Sequence, residues 1–132
     1  MIKYFFVLLS IGGIFVTAAQ LRFVEAIGGP YYDEALEIVR TSDNGYAIAG
    51  RTNSFGAGGY DLILSRFNRF GRHLWTRVIG GTGQESPAEE ADPLSLVETY
   101  DGGLVMVGKT NSFGAGNYDI FLAKFSASGD FL

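Results

Sequence analysis

A ten-residue segment occurs twice in this chain of 132 residues, and this duplication limits the fold more than any other feature. Residues 52–61 (TNSFGAGGYD) return as residues 110–119 (TNSFGAGNYD), with nine of ten positions identical at an offset of 58. The same offset aligns residues 34–74 with 92–132 at 19 of 41 positions. Chance does not produce such agreement, so the chain contains two copies of one structural unit.

The offset between the repeats changes upstream of this alignment. Ile27-Gly28-Gly29 matches Ile79-Gly80-Gly81 at an offset of 52, which places a six-residue insertion between Gln84 and Ala91. The repeats therefore cover about residues 21–72 and 73–132, and residues 20–132 are predicted to form one domain of two units.

Each unit contains four stretches typical of β-strands, rich in branched and aromatic residues and bounded by turn residues. In the second unit these are His73–Gly80, Ser95–Tyr100, Leu104–Thr110 and Asp119–Phe125. Asp43-Asn44-Gly45 and Asp101-Gly102-Gly103 are typical of hairpin turns, because Asn and Gly accept positive φ angles. Asp61 and Asp119 recur just before a strand and are predicted to cap turns. Residues 20–132 show no helical periodicity, so we predict an all-β fold.

Four strands recurring every 50–60 residues indicate the blade of a β-propeller. The elements TNSFGAGxYD and DxGxxxxG resemble the tandem propeller repeats of large secreted bacterial and archaeal proteins. The resemblance covers about 110 residues and implies a propeller fold and an exported location. It implies no activity, because those repeats serve mostly as scaffolds and interaction modules. This chain departs from them in carrying two repeats, too few to close a ring.

The first nineteen residues differ from the rest of the chain. Lys3 precedes an apolar run from Tyr4 to Val16, and the small residues Thr17, Ala18 and Ala19 follow. This order predicts a secretory signal peptide at residues 1–19 and a secreted or cell-surface location. The alternative is a retained apolar anchor, in which case the protein contacts a membrane. The stretch Tyr4–Ala19 has 16 residues, fewer than the roughly 20 of a spanning helix.

The two ends of the repeat region predict how copies associate. Residues 21–28 align with the outer strand at residues 73–80, and Phe23 aligns with Trp75, which favours a packing role for both aromatics. Leu132 aligns with Leu74, near the start of that outer strand. The last unit is therefore expected to lack an outer strand of its own. We therefore expect the N-terminal strand of one copy to complete the last blade of a neighbouring copy. The residues of this assembly strand are Leu21, Phe23, Val24, Ala26 and Ile27. Head-to-tail contact then produces a closed ring or a filament. The alternative is that the chain is a fragment of a longer repeat protein.

Composition and motifs exclude several kinds of chemistry. The chain has no Cys, which excludes disulfides, thiolate metal sites and Cys nucleophiles. Its net charge of −4 provides no electrostatic basis for binding nucleic acid. His73 is the only histidine, and no nucleophile elbow, zinc-binding helix motif or phosphate loop is present. We predict a structural or assembly protein without catalytic residues, metal or cofactor, whose partner is itself.

Alternating strand direction places the longer loops on one face, where a binding site is expected. The candidate residues are Tyr31, Tyr32, Asp33, Asn53, Phe55, Asn111 and Phe113, with the acidic Glu85, Glu89 and Glu90 of the insertion. Aromatic rings beside Asn and Asp are typical of carbohydrate sites, which makes a lectin-like oligomer that binds glycans the alternative function. In the other interpretation, Phe55 and Phe113 pin their loops to the scaffold and the acids keep the surface soluble.

Overall fold

In a computed structural model, the protein is described over residues 6–11, 14–19, 23–83, 85 and 94–132, with backbone alone in the first two ranges. This part of the chain contains β-strands and no helix, which confirms the all-β prediction. The strands are β1 (Phe6–Ile11), β2 (Ile14–Ala19), β3 (Asp33–Arg40), β4 (Tyr46–Thr52), β5 (Asp61–Phe67), β6 (His73–Ile79), β7 (Ser95–Glu98), β8 (Leu104–Thr110) and β9 (Asp119–Phe125).

The strands form three antiparallel sheets, in which each strand pairs with its neighbour in sequence. β1 and β2 form a hairpin, β3-β4-β5-β6 form the first sheet, and β7-β8-β9 form the second sheet. The second sequence repeat begins at His73, the first residue of β6. Because β6 pairs with β5, this strand nevertheless belongs to the first sheet. In the second sheet, Phe125 at the end of β9 forms a single bridge with Phe131. This bridge is equivalent to the Phe67–His73 pair between β5 and β6 of the first sheet.

The turn after β3 has the conformation that its sequence predicts. Asn44 adopts a φ of 66°, and Asp43 Oδ1 accepts hydrogen bonds from Thr41 Oγ1 (2.7 Å) and Gly45 N (2.9 Å). Arg66 Nη2 also donates to Asp43 Oδ1 at 2.8 Å. These hydrogen bonds, that of Arg66 first, hold the pKa of Asp43 well below its usual range. Asp101 plays the same part in the turn after β7.

The hydrophobic core lies between the first and second sheets. Because successive residues of a strand point to opposite faces, each sheet presents one row of alternate apolar side chains to the other. The buried residues are Ala47, Ala49, Leu62 and Leu64 of the first sheet with Leu94, Leu96, Leu104, Met106, Ala123 and Phe125 of the second sheet and its approach. The two sheets are therefore stacked face to face, and each keeps one face on the outside.

The N-terminal region holds two of the sequence predictions. The backbone pairs β1 with β2 inside the segment predicted to be a signal peptide or anchor, and cleavage of that segment stays a prediction. Within the described ranges, no helix has the length and apolar character needed to span a bilayer. Leu21 lies outside the described residues. Residues 23–28, predicted to be an outer strand, are exposed and form no strand in this chain.

Candidate functional site

The loops at one end of the first sheet bring four predicted site residues together. Asn53 N donates to the Tyr32 carbonyl at 2.8 Å, and Tyr31 N donates to Ser54 Oγ at 2.9 Å. Asp33 Oδ2 accepts from Ser54 Oγ at 2.7 Å. Burial alone would raise the pKa of Asp33, but hydrogen bonds from the Thr52 and Ser54 hydroxyls and the Gly29 amide hold it below its ordinary value. Asp33 therefore acts as an ionised acceptor that ties the loops together.

Phe55 and Phe113 occupy equivalent places at the ends of the two sheets. A Cβ on Gly29 would lie 3.0 Å from the Phe55 ring, and one on Gly81 would lie 3.4 Å from the Phe113 ring. Asn111 stands in the same loop as Phe113, which places the second half of the predicted set at the end of the second sheet. Each ring is about half exposed, so one edge fixes its loop while the rest remains accessible.

Residues 53–59 surround a depression of about 60 Å³. Ligand pockets typically measure about 300–1,000 Å³. The loop is therefore too shallow to enclose a sugar ring, and its aromatic side chains offer a surface.

The junction between the two sheets is the most completely buried surface of the described chain. Leu62 and Leu64 of β5 are 0% exposed. They share one core cluster with Leu94 and Leu96, which are 6% and 4% exposed. Polar contacts border this core, because Ser42 N donates to Glu98 Oε2 at 2.7 Å across the junction. The junction therefore has an apolar centre and a hydrogen-bonded rim, as a stable interface requires.

The equivalents of these leucines are exposed at the outer faces. At the offset of 58, Leu62 and Leu64 correspond to Ile120 and Leu122, which are 86% and 69% exposed. We define the trailing face as the side of the second sheet away from the first, with Val97, Val105, Val107, Ile120 and Leu122.

The leading face is the opposite end of the stack. Leu94 and Leu96 correspond to Leu36 and Ile38, which are 36% and 58% exposed. We define the leading face as the side of the first sheet away from the second, with Leu36, Ile38, Ile48, Ile63 and Val78. Each outer face thus carries the residue types that are buried at the junction.

Residues 25–27 line a cleft together with Ile48 and Ile63 of the leading face, and Phe23 lies at the turn after β5. Gly71 adopts a φ of 76°, and a Cβ there would overlap the Phe23 ring. At the matching place, Gly129 adopts a φ of 85°, and its Cβ would lie 2.8 Å from the Trp75 ring. Trp75 Nε1 also donates to the Ala127 carbonyl at 3.1 Å. Each ring therefore lies against a turn glycine, and the packing role of the two aromatics stays a prediction.

A pair of acids lies where the connection after β6 meets the start of β5. Glu85 N donates to the Tyr60 carbonyl at 2.9 Å, which holds Glu85 beside Asp61. Both side chains are 0% exposed, and Asp61 Oδ1 and Glu85 Oε2 have no hydrogen-bond partner among the described residues. Burial, followed by the neighbouring Glu85 carboxyl, raises the pKa of Asp61 to about 7. Such a pair is stable when the two carboxyls share one proton.

These acids complete one prediction and correct another. Asp61 caps its loop as expected, since Ala57 N donates to Asp61 Oδ2 at 2.7 Å. The expectation that the insertion's acids lie at the surface is wrong for Glu85, because the Tyr60 and Thr110 contacts draw it between the sheets. Glu89 and Glu90 lie outside the described residues.

A sequence signal for Glu85 existed. At the offset of 52, Glu85 aligns with Asp33, so an acid stands at this position in both repeats. The contacts agree, because Thr52 Oγ1 donates to Asp33 Oδ1 and Thr110 Oγ1 donates to Glu85 Oε1. The inserted residues therefore begin after Glu85.

The described residues contain no group of three or more His, Cys, Asp or Glu side chains that could hold a metal ion. Comparison with protein-family models gives no match for this chain, and comparison with curated proteins gives none either. What the arrangement offers chemically is two unlike apolar faces, a buried acid pair and a row of exposed aromatic loops.

Proposed function

We propose that this chain is a non-enzymatic extracellular assembly protein, that its two sheets are blades of a β-propeller, and that copies join head to tail. The observation that carries the proposal is the position of residues 23–28. Phe23 packs on Gly71 as Trp75 packs on Gly129, which supports the proposal that the segment serves as the outer strand of a preceding sheet. The sheet to which such a strand belongs would come from another copy.

The two outer faces support the same arrangement. The trailing face carries the equivalents of Leu62 and Leu64, and the leading face carries those of Leu94 and Leu96. A second copy placed with its leading face on this trailing face would repeat the junction that already exists inside the chain. Because the two faces differ, the contact is heterologous, and copies add in one direction until a ring closes or a filament grows.

Strand donation would reinforce this face-to-face contact. The edge of β9 at Ile120 and Leu122 has no partner strand among the described residues. The neighbour's residues 23–27 would lie along that edge as β6 lies along β5 and would supply its backbone hydrogen bonds. Pairing would also remove an exposed sheet edge, which otherwise invites non-specific aggregation.

Mixing two variants tests the head-to-tail geometry. Leu122→Arg blocks the trailing face and Ile38→Arg blocks the leading face, so neither chain should form higher-order species alone. An equimolar mixture should form dimers and stop there, because one intact face of each kind remains. Size-exclusion chromatography with light scattering measures the masses, and negative-stain microscopy distinguishes wild-type rings from filaments.

The control is Asn117→Arg, at the exposed tip of a loop outside both faces, which should assemble like wild type. In a two-fold symmetric contact, one face would pair with the same face of another copy. Each face variant would then either associate like wild type or not associate, and mixing the two variants would not restore association. Deletion of residues 21–27 should also abolish assembly. Normal assembly of the deleted chain would eliminate strand donation.

The proposed site of action is outside the cytoplasm, with residues 1–19 removed. The intact mass of the native protein tests this directly, since it should correspond to a start at or near Gln20. A mass that includes Met1 would make the protein a membrane-anchored subunit and leave the assembly surfaces unchanged.

A second candidate function is carbohydrate binding, favoured by the half-exposed Phe55 and Phe113 rings in the repeated loops. Sugar faces stack on such rings, and the neighbouring Asn53 and Asn111 could bond to hydroxyl groups. A glycan array with wild type and a Phe55→Ala/Phe113→Ala variant decides between the functions. Glycan signal lost in a variant with unchanged melting would favour the lectin, whereas lowered melting and no glycan signal would favour a scaffold role.

A further inference from the structure

The acid pair at the internal junction has one member on each side of it. Asp61 is the first residue of β5 in the first sheet, whereas Glu85 is tied to the second sheet through Thr110. The two carboxyls meet where the sheets meet, and both are fully buried. Two ionised carboxylates buried away from water repel each other strongly. The junction is therefore stable when the two carboxyls share one proton.

Each member of this pair has an equivalent at one end of the stack. Asp119 corresponds to Asp61 at the offset of 58, and Ala115 N donates to Asp119 Oδ2 at 2.8 Å in the same capping hydrogen bond. Asp33 corresponds to Glu85 at the offset of 52, and each accepts from the hydroxyl of a matching threonine. Asp119 stands beside the trailing face and Asp33 beside the leading face.

The glycines next to the acids also match. A Cβ on Gly80 would overlap the Asp61 carboxyl, and a Cβ on Gly28 would lie 2.8 Å from Asp33 Oδ2. Gly28 therefore gives room to the Asp33 carboxyl as Gly80 gives room to the Asp61 carboxyl.

We propose that Asp119 of one copy meets Asp33 of the next copy as Asp61 meets Glu85 within the chain, and that each junction takes up one proton as it forms. This inference rests on the proposed head-to-tail assembly and adds to it a chemical condition. In the free chain Asp33 is ionised and held by neutral donors, while Asp119 is only partly buried. Joining them without a proton would place two negative charges together in a site shielded from water.

The basic side chains on the two sides contact other groups in the free chain. On the side of Asp33, Arg51 binds Glu34 at 2.8 Å and lies over the Tyr32 and Tyr60 rings, and Glu25 adds a further acid at the same cleft. On the side of Asp119, Lys109 Nζ lies 4.6 Å from the centre of the Tyr118 ring. The loops 53–59 and 111–117 carry no charged residue.

The sign of the pH dependence follows from the proton count. The assembled state binds one more proton per junction than the separate chains, so the association constant should rise as the pH falls. At the limiting slope, one proton changes the association constant about tenfold per pH unit. We expect this dependence between pH 8 and pH 5.5.

Sedimentation velocity of the native protein at pH 8, 7, 6 and 5.5, at constant ionic strength with a chelator present, measures the slope. Asp119→Asn is the informative variant, because its amide oxygen can replace Asp119 Oδ2 as the acceptor for Ala115 N and its amide nitrogen can donate to Asp33 of the next copy. It should assemble at pH 8 as tightly as wild type does at pH 5.5, with a flat profile. Asp130→Asn, which changes an exposed acid in a turn, should keep the wild-type slope.

The outcomes separate the two proposals. Wild type that assembles equally well at all four pH values would overturn the proton uptake while leaving head-to-tail assembly standing. Recovery of wild-type assembly at pH 8 by calcium would also overturn it, in favour of a bridging cation. Monomers at every pH, for wild type and Asp119→Asn alike, would eliminate both the assembly and this inference. Thermal melting of Asp119→Asn checks that the variant is folded.

Discussion

The first and second sheets contain repeated sequence in different surroundings. Leu64 and Leu122 align and occupy the same position in their strands, yet Leu64 is buried and Leu122 is exposed. The difference arises because the first sheet has the second sheet stacked on it, whereas no described part of this chain covers the trailing face. Strand formation thus depends on the local sequence, and burial depends on the next sheet in the stack.

The repeated aspartates show the same contrast in a polar setting. Asp61 and Asp119 each accept a hydrogen bond from an alanine amide four residues upstream, at 2.7 Å and 2.8 Å. Only Asp61 is also enclosed beside Glu85. One residue type in one loop is therefore a turn cap at the open end and half of a buried acid pair at the internal junction.

The largest effect is expected where the apolar difference is removed. Leu64→Ala should lower the free energy of unfolding by about 2–5 kcal/mol, because it leaves a cavity at a fully buried site. Leu122→Ala should change it by less than about 0.5 kcal/mol in the monomer, as exposed positions do. Urea unfolding at concentrations where light scattering shows monomers makes the comparison. Equal losses in both variants would mean that the trailing face is covered within the chain.

The pH dependence of stability tests the polar difference. The pKa of Asp61 is raised to about 7 in the folded chain, against about 3.9 when unfolded, so folding takes up a proton in this range. The associated stability is complete below pH 4 and is lost progressively as the pH rises to about 7. The urea midpoint of the wild-type monomer should therefore fall between pH 4.5 and 7.5. Asp61→Asn should flatten this decline, whereas Asp119→Asn should retain it.

The two turn ion pairs offer a third comparison. Arg66 is buried and donates to Asp43 and to the Phe67 carbonyl, so Arg66→Met should cost about 1–3 kcal/mol. Lys124 and Asp101 form the equivalent pair at the surface, where both side chains are partly exposed. Lys124→Met should leave the urea midpoint unchanged, at both low and high salt concentration. A matching loss for Lys124→Met would show that the second turn is also covered.

The smallest expected difference concerns the packing of the N-terminal segment. Gly71 and Gly102 both have positive φ, 76° and 74°, but only Gly71 faces the Phe23 ring. Gly102→Ala should cost about 1–2 kcal/mol for backbone conformation alone. Gly71→Ala should cost about 1 kcal/mol more, because it displaces Phe23. Thermal unfolding measures both, and equal losses would indicate that residues 23–28 do not rest on the first sheet.

The fold was predictable from the sequence to the extent that its signals are local. The strands predicted at His73–Gly80, Leu104–Thr110 and Asp119–Phe125 differ from the observed ones by at most one residue, because strand composition and flanking turn residues act over short distances. The Asp43 turn was predictable for the same reason. Of the candidate site, the grouping of Tyr31, Tyr32, Asp33 and Asn53 followed from strand direction alone.

The position of Glu85 was not predicted, although the repeat contained the signal. An acid beside an insertion rich in Glu is usually exposed, and only the alignment of Glu85 with Asp33 indicates a structural role. Its burial depends on Tyr60 and Thr110, which are 25 residues away in opposite directions along the chain. Such a contact exists only after two sheets have stacked.

The sequence by itself determined the duplication, the all-β class, the strand and turn positions and the lack of Cys chemistry, because periodicity, turn residues and composition need no knowledge of distant contacts. Only the tertiary structure decided which copies of the repeated residues are buried, that residues 23–28 rest on the leading face and that Asp61 lies beside Glu85. The physical reason is that burial and pKa depend on what is stacked against a residue. Two nearly identical segments can therefore differ in burial while sharing one backbone conformation.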